Sequence, residues 1–170
     1  MTQRDIKNKY STKTLVLFAL MIAMSIVLER FLGINTPFFK LHLGYLPVAA
    51  TGMLFGIGPG ILVGTLADIL GNLDKISLPF IPLAAIEAGL FAVFLHPVKK
   101  EKKDMVKQAV FAQLPVTLIV HMGLNTLLLY VLFNSFLPAR FVMSVITFPV
   151  RVFSLYLVLK YRKPFENYLG

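Results

Sequence analysis

Apolar stretches recur along this chain with almost no charge inside them: Leu15 to Leu28, Gly44 to Gly71, Leu78 to Leu95, Gln108 to Phe133 and Ala139 to Lys160. No other feature limits the fold so strongly, because a chain that spans lipid must satisfy its own backbone hydrogen bonds, as a helix does. Of the 170 residues, 57% are hydrophobic and 15% charged, where a soluble domain carries roughly 45–50% and 25%. The surplus is too large for one buried core and has to face lipid. A water-soluble enzyme, a disordered chain and a collagen-like repeat are excluded on this ground. At about 20 residues for each crossing, no room is left for a separate soluble catalytic domain.

Charge then orients the crossings. The net charge is +9, and most of the cations fall in three clusters outside the apolar stretches: Arg4, Lys7, Lys9 and Lys13; Lys99, Lys100, Lys102, Lys103 and Lys107; Lys160, Arg162 and Lys163. Cytoplasmic loops of membrane proteins carry such clusters, so the charge calls for no nucleic acid. The region Gly44 to Gly71 is broken by Gly56-Ile57-Gly58-Pro59-Gly60. If it crossed once, the central cluster would lie opposite the basic N-terminus; if it crosses twice, all three clusters share one side. The expectation is therefore an all-α membrane protein with six transmembrane helices, short second and third helices, and both termini cytoplasmic. The first helix is expected from about Lys13 to Phe31 and retained, since Glu29-Arg30-Phe31 follows the apolar run and no small-residue cleavage site does. A loop is expected from Gly33 to Lys40, an outer loop from Asn72 to Ser77, a fourth helix from Leu78 to Leu95 and a cytoplasmic segment from His96 to Lys107. A fifth helix from about Gln108 to Phe133, a turn at Asn134 to Pro138 and a last helix from Ala139 to Lys160 complete a single domain over residues 1–170. The absence of cysteine excludes disulfides and thiolate metal sites.

No phosphate loop, paired-histidine zinc motif or nucleophile elbow occurs, so neither catalysis nor a metal or other cofactor is expected. Four cations break the positive-inside pattern: Arg30, Lys40, Lys75 and Arg140, at expected outer ends and loops. Around them sit Phe31, Phe38, Phe39, Tyr45, Phe80, Tyr130 and Phe136. Cations and aromatic faces together suit a ligand with negative charge and a flat ring. The competing reading pairs Arg30 with Glu29 and Lys75 with Asp74, and assigns the aromatics to an interfacial belt. Within the membrane, ionisable residues are costly enough to need a partner or a function. Glu87 and Arg151 lie at similar depth and are read as a buried ion pair, and His121 as a satisfied core histidine. Asn125 suits either a ligand's heterocycle or an interhelical hydrogen bond. Ala19 and Ala23 place two small residues on one face of the first helix, and Gly52, Gly56, Gly60 and Gly64 recur every four residues.

The stretch from Arg30-Phe31-Leu32-Gly33 through Thr36-Pro37-Phe38-Phe39-Lys40 to Gly44-Tyr45-Leu46-Pro47 resembles the start of substrate-binding S components of energy-coupling-factor vitamin transporters, the folate family in particular. Gly56-x-x-Pro59-Gly60, Val63-Gly64, Ala67-Asp68-x-Leu70-Gly71, Asn125-Thr126-Leu127, Leu137-Pro138-x-Arg140 and Pro149 extend the likeness over most of the chain. The resemblance implies a subunit that captures folate or a related pterin outside and delivers it inward. Its implied partners are a transmembrane coupling subunit, two ATP-binding-cassette ATPase subunits and membrane lipid. The expected ligand set is Arg30, Thr36, Phe38, Phe39, Lys40, Tyr45, Phe80, Asn125 and Arg140, and the resemblance implies that Ala19 and Ala23 face the coupling subunit. Where the folate family carries a Phe-Pro-Gly-Phe-Thr-like stretch, this chain reads Leu78-Pro79-Phe80-Ile81-Pro82-Leu83, so a different vitamin is the alternative. Outside the resemblance stand a small membrane enzyme or chaperone using Glu87, Arg151 and His121, and a structural membrane subunit without a ligand.

Overall fold

The computed structural model describes residues 11–35, 40–73, 78–96, 105–133 and 139–161. Six helical rods follow one another. The first, α1, is Thr12–Phe31; α2 is Tyr45–Phe55 and α3 is Ile57–Gly71. A 3-10 turn at Leu78–Phe80 leads into α4, Ile81–Leu95. The fifth rod is composite: α5 (Met105–Pro115), a π-helical segment (Val116–Leu124) and α6 (Asn125–Phe133) run end to end. The last is α7, Ala139–Lys160. Among the described residues, three helices are long and apolar enough to cross a membrane: Thr12–Phe31, Met105–Leu132 and Phe141–Lys160. The 11, 15 and 15 residues of α2, α3 and α4 span only about 16 to 22 Å at 1.5 Å per residue, short of the roughly 30 Å hydrocarbon core. Protein surrounds α2 in particular, whose residues Tyr45, Val48, Ala49, Thr51, Gly52 and Met53 are buried.

Glycine makes this short-helix group compact. A methyl group placed on Gly64 would lie 2.6 Å from Ala88 Cβ and 2.9 Å from Val48 Cγ1. One on Gly52 would lie 2.9 Å from Ala92 Cβ, and one on Gly60 2.9 Å from Gly52 Cα. Three members of the four-residue glycine repeat thus let α2, α3 and α4 approach almost backbone to backbone. The fourth has another duty. Gly56, with φ +89° and ψ −169°, takes a conformation that side chains forbid and turns the chain from α2 into α3 in one residue. The expected two short helices with a tight turn are present, and the turn is Gly56 alone.

Other expectations shift locally. The Gly33 to Lys40 stretch, expected as loop, contains β1 (Ile34–Asn35) paired antiparallel with β2 (Lys40–Leu41), Ile34 opposite Leu41 and Asn35 opposite Lys40. Two residues a side carry too little alternation to stand out in the sequence. Helix α4 starts at Ile81, not Leu78, and Pro82 occupies its first turn, where a missing N–H costs nothing. Pro115 ends α5; its absent N–H and its clash with the carbonyl four residues back coincide with the change from α- to π-helical winding.

A main hydrophobic core joins α2, α4, the fifth rod and α7 through Tyr45, Met53, Phe91, Leu95, Ala112, Val116 and Leu155. Exposed apolar side chains cover the outside, among them Leu20 and Val27 on α1, Phe111 and Leu118 on the fifth rod, and Val145 and Phe153 on α7.

Candidate substrate-binding site

Helices α1, α3 and α6 end, and α4 and α7 begin, at the end of the bundle that charge patterning marks as outer. Here Arg30, in the last turn of α1, donates from Nε and Nη2 to the Gly71 carbonyl at 3.3 and 3.1 Å. Gly71 is the final residue of α3, where carbonyls lack helical partners and attract cations. Arg30 therefore clips two helix ends together, a partner that sequence pairing with Glu29 did not suggest.

The start of α2 lies deeper. Ser25, well inside α1, donates to the Gly44 carbonyl at 2.6 Å, and Tyr45 Oη donates to the Arg151 carbonyl at 3.1 Å, about halfway along α7. The Tyr45 ring stacks on Phe91 at 5.7 Å between centroids with 16° between planes, and only 4% of Tyr45 is exposed. Sequence reading set Tyr45 among outer aromatics; the structure puts it at mid-height, because the link before α2 descends into the bundle before the helix begins.

Three ionisable groups meet beside it. Arg151, 6% exposed, bonds through Nη1 to His121 Nε2. Its Cζ lies 5.8 Å from the Tyr45 ring centroid, within cation–π range. Arginine has only donors, so His121 Nε2 is the acceptor in this contact. Glu87 Oε1 stands 3.7 Å from the same Nε2. Glu87 and Arg151 thus come to one place with His121 between them. Sequence reading grouped these three residues only in its membrane-enzyme alternative and otherwise took His121 as a satisfied core histidine.

The remaining ligand candidates are placed as follows. Phe80 is half-buried in the turn before α4, which packs on α6. Asn125, also half-buried, is the first residue of α6. Lys40 lies in β2 opposite Asn35, and Arg140 in the first turn of α7; their side chains fall outside the described set. Thr36, Phe38, Phe39, Lys75 and Phe136 lie outside the described residues. Phe31 and Tyr130 are exposed, as members of an interfacial belt are. Ala19 and Ala23 are both exposed, flanked by Leu15, Val16, Leu20 and Met24, and turned away from buried Phe18, Met21 and Ser25. Among the described residues no cluster of His, Asp or Glu is arranged to hold a metal ion.

Comparison with known proteins places this geometry. A family model, the S component of ECF-type riboflavin transporters, matches residues 9–159. The folate transporter FolT of Clostridium novyi (strain NT) is 31% identical over 146 residues, covering 84% of this chain and 85% of that protein. A crystal structure of FolT bound with folic acid superposes with a TM-score of 0.77 at 26% identity, covering 89% of this chain and 95% of that one. These relatives are membrane transporter subunits, not enzymes, and an S component works with an ECF module on a vitamin. By its sequence over residues 9–159 and its fold of six helical rods, this chain belongs to the family of S components of energy-coupling-factor transporters.

Proposed function

We propose that this chain captures folate, or a closely related anionic pterin, at the outer end of the bundle. The observation that carries the reading is its likeness to FolT along most of both chains, in sequence and in fold. In this reading residues 1–170 form one membrane-embedded domain with both termini cytoplasmic. A transmembrane coupling subunit and two ATP-binding-cassette ATPases supply the work, and nucleic acid plays no part. Ala19 and Ala23 serve as the coupling face: both are exposed on α1, and small residues allow another helix to approach closely. Lys40 and Arg140 hold the two carboxylates of the glutamate tail, with Arg30 contributing beside its bonds to Gly71. Thr36, Phe38, Phe39 and Phe80 enclose the ligand, and Asn125 reads the ring.

Riboflavin is the second reading, favoured by the matching family model. Mass spectrometry of the ligand released from purified protein separates the two. Folate or a pterin is the expected product; riboflavin alone would overturn the first reading. A charge-assisted hydrogen bond contributes roughly 1.5–3 kcal/mol, so Arg140→Ala should weaken folate binding about ten- to a hundredfold. Unchanged binding in Arg140→Ala, Lys40→Ala and Arg30→Ala alike would place the carboxylates elsewhere.

A further inference from the structure

The fifth rod and α7 pack together, yet a groove of about 180 Å³ runs between them, lined by Leu114, Thr117, Leu118, Met122, Val145 and Phe148. Its position follows from the sequence. Pro115 follows Leu114 on one rod and Pro149 follows Phe148 on the other, each without an N–H and each in conflict with the carbonyl four residues back. The π-helical segment also begins at this point. Regular ridges do not mesh across such interruptions. The lining is apolar apart from Thr117, which is buried and accepts from Gln113 Nε2 at 3.3 Å. A charged ligand finds no ionic side chain here. Both walls belong to helices long and apolar enough to cross a membrane, so the groove opens toward lipid.

We propose that an acyl chain of an anionic phospholipid from the cytoplasmic leaflet occupies this groove, with its headgroup at Lys107. Size sets the occupant. An apolar cavity of about 150 Å³ takes one benzene, so the groove suits a chain segment of roughly six to eight carbons and is too small for a helix about 10 Å across. Charge sets the leaflet. Lys107, Phe111, Leu114 and Leu118 follow one another at the spacing of a single helix face, and Lys107 is exposed. Leu114 and Leu118 lie about 10 and 16 Å beyond Lys107 at 1.5 Å per residue, and the chains of one leaflet reach about 15 Å. Lys160, in the last turn of α7, stands at the same end, its Nζ 5.7 Å from the centroid of the exposed Tyr161 ring. Cations and a tyrosine at this level suit a phosphate at the cytoplasmic surface. The Lys107 ammonium has three donors, so a phosphate joins the contact it already makes. At the opposite end of the two rods stands Arg140, which the capture reading assigns to the vitamin. No groove residue belongs to that ligand set, so the lipid site holds for whichever vitamin is bound.

The chain has no tryptophan, so Phe148→Trp places a single fluorophore in the groove, and Phe153→Trp places one on the exposed face of α7 outside its lining. Each variant is reconstituted in phosphatidylcholine vesicles containing increasing fractions of brominated phosphatidylglycerol or of brominated phosphatidylcholine. For Phe148→Trp, half-maximal quenching should come at an about fivefold smaller fraction of the anionic lipid than of the zwitterionic one. Phe153→Trp should show no such preference. Lys107→Gln added to Phe148→Trp should remove most of the preference. Equal quenching of the groove fluorophore by the two lipids would overturn the proposal, as would a preference that survives Lys107→Gln or one that Phe153→Trp shares. A groove fluorophore that neither lipid quenches would mean that protein, such as a second copy of the chain, covers the groove, and overturns it as well. If Phe148→Trp does not fold, Val145→Trp on the exposed lip gives the same measurement.

Discussion

Helices α2, α3 and α4 meet through glycine and alanine, whereas the fifth rod and α7 meet through large side chains and carry ionisable groups between them. The first arrangement closes three short helices into a body with room for nothing more: Gly64, Gly60 and Gly52 have no space for even a methyl group. The second brings Glu87 and His121 within 3.7 Å of each other, with Arg151 buried beside them. One half of the bundle is filled to its limit and the other carries charge that packing alone does not require. Segments too short to span lipid need dense protein contact, and a binding subunit needs a polar interior, so the two demands fall on opposite sides of α4.

Substitutions sharpen this contrast in order of their effect. Arg151→Met should cost most, about 3–5 kcal/mol of unfolding free energy, because it strands Glu87 as an uncompensated charge. Denaturant unfolding in detergent measures this, and a loss below about 1 kcal/mol would show that Glu87 is already satisfied elsewhere. Gly64→Ala should cost about 1–3 kcal/mol by overpacking, although it adds only one carbon. If it is neutral, α3 and α4 can move apart and the closed half is looser than its contacts indicate. Ala19→Trp, on the exposed face of α1, should change stability by no more than about 0.5 kcal/mol and leave ligand binding intact. Transport with the coupling and ATPase partners should nonetheless be lost; transport at the wild-type rate would remove this face from the partner interface.

The sequence carried the six-rod plan because charge parity and hydropathy are global signals. The cation clusters called for an even number of helices between them, and Gly56-x-x-Pro59-Gly60 marked where α2 gives way to α3. Ala139–Lys160 and Thr12–Phe31 fall at or within a residue of their expected bounds for the same reason. The site was legible only in part. Tyr45 looked like an outer aromatic because the path of the chain before α2 leaves no trace in composition. Arg30 looked like a ligand clamp or a partner of Glu29, and its bonds to Gly71 depend on two helix ends meeting across 41 residues of sequence. Glu87 and Arg151 could be matched by depth. His121 was grouped with them only in the enzyme alternative, because its direction depends on how the rod beneath it is wound.

That winding has a consequence of its own. A π turn bridges five residues where an α turn bridges four, so each takes roughly one residue more to come around. Across Val116–Leu124 the rod accumulates a phase lag of about one to two residue positions. Everything above the segment, Asn125 and Thr126 included, faces a different neighbour from the one an unbroken α-helix would give it. A deletion of one residue within the segment would leave composition and hydropathy nearly unchanged. It would swing the whole upper rod about its axis and carry Asn125 off the side it shares with His121.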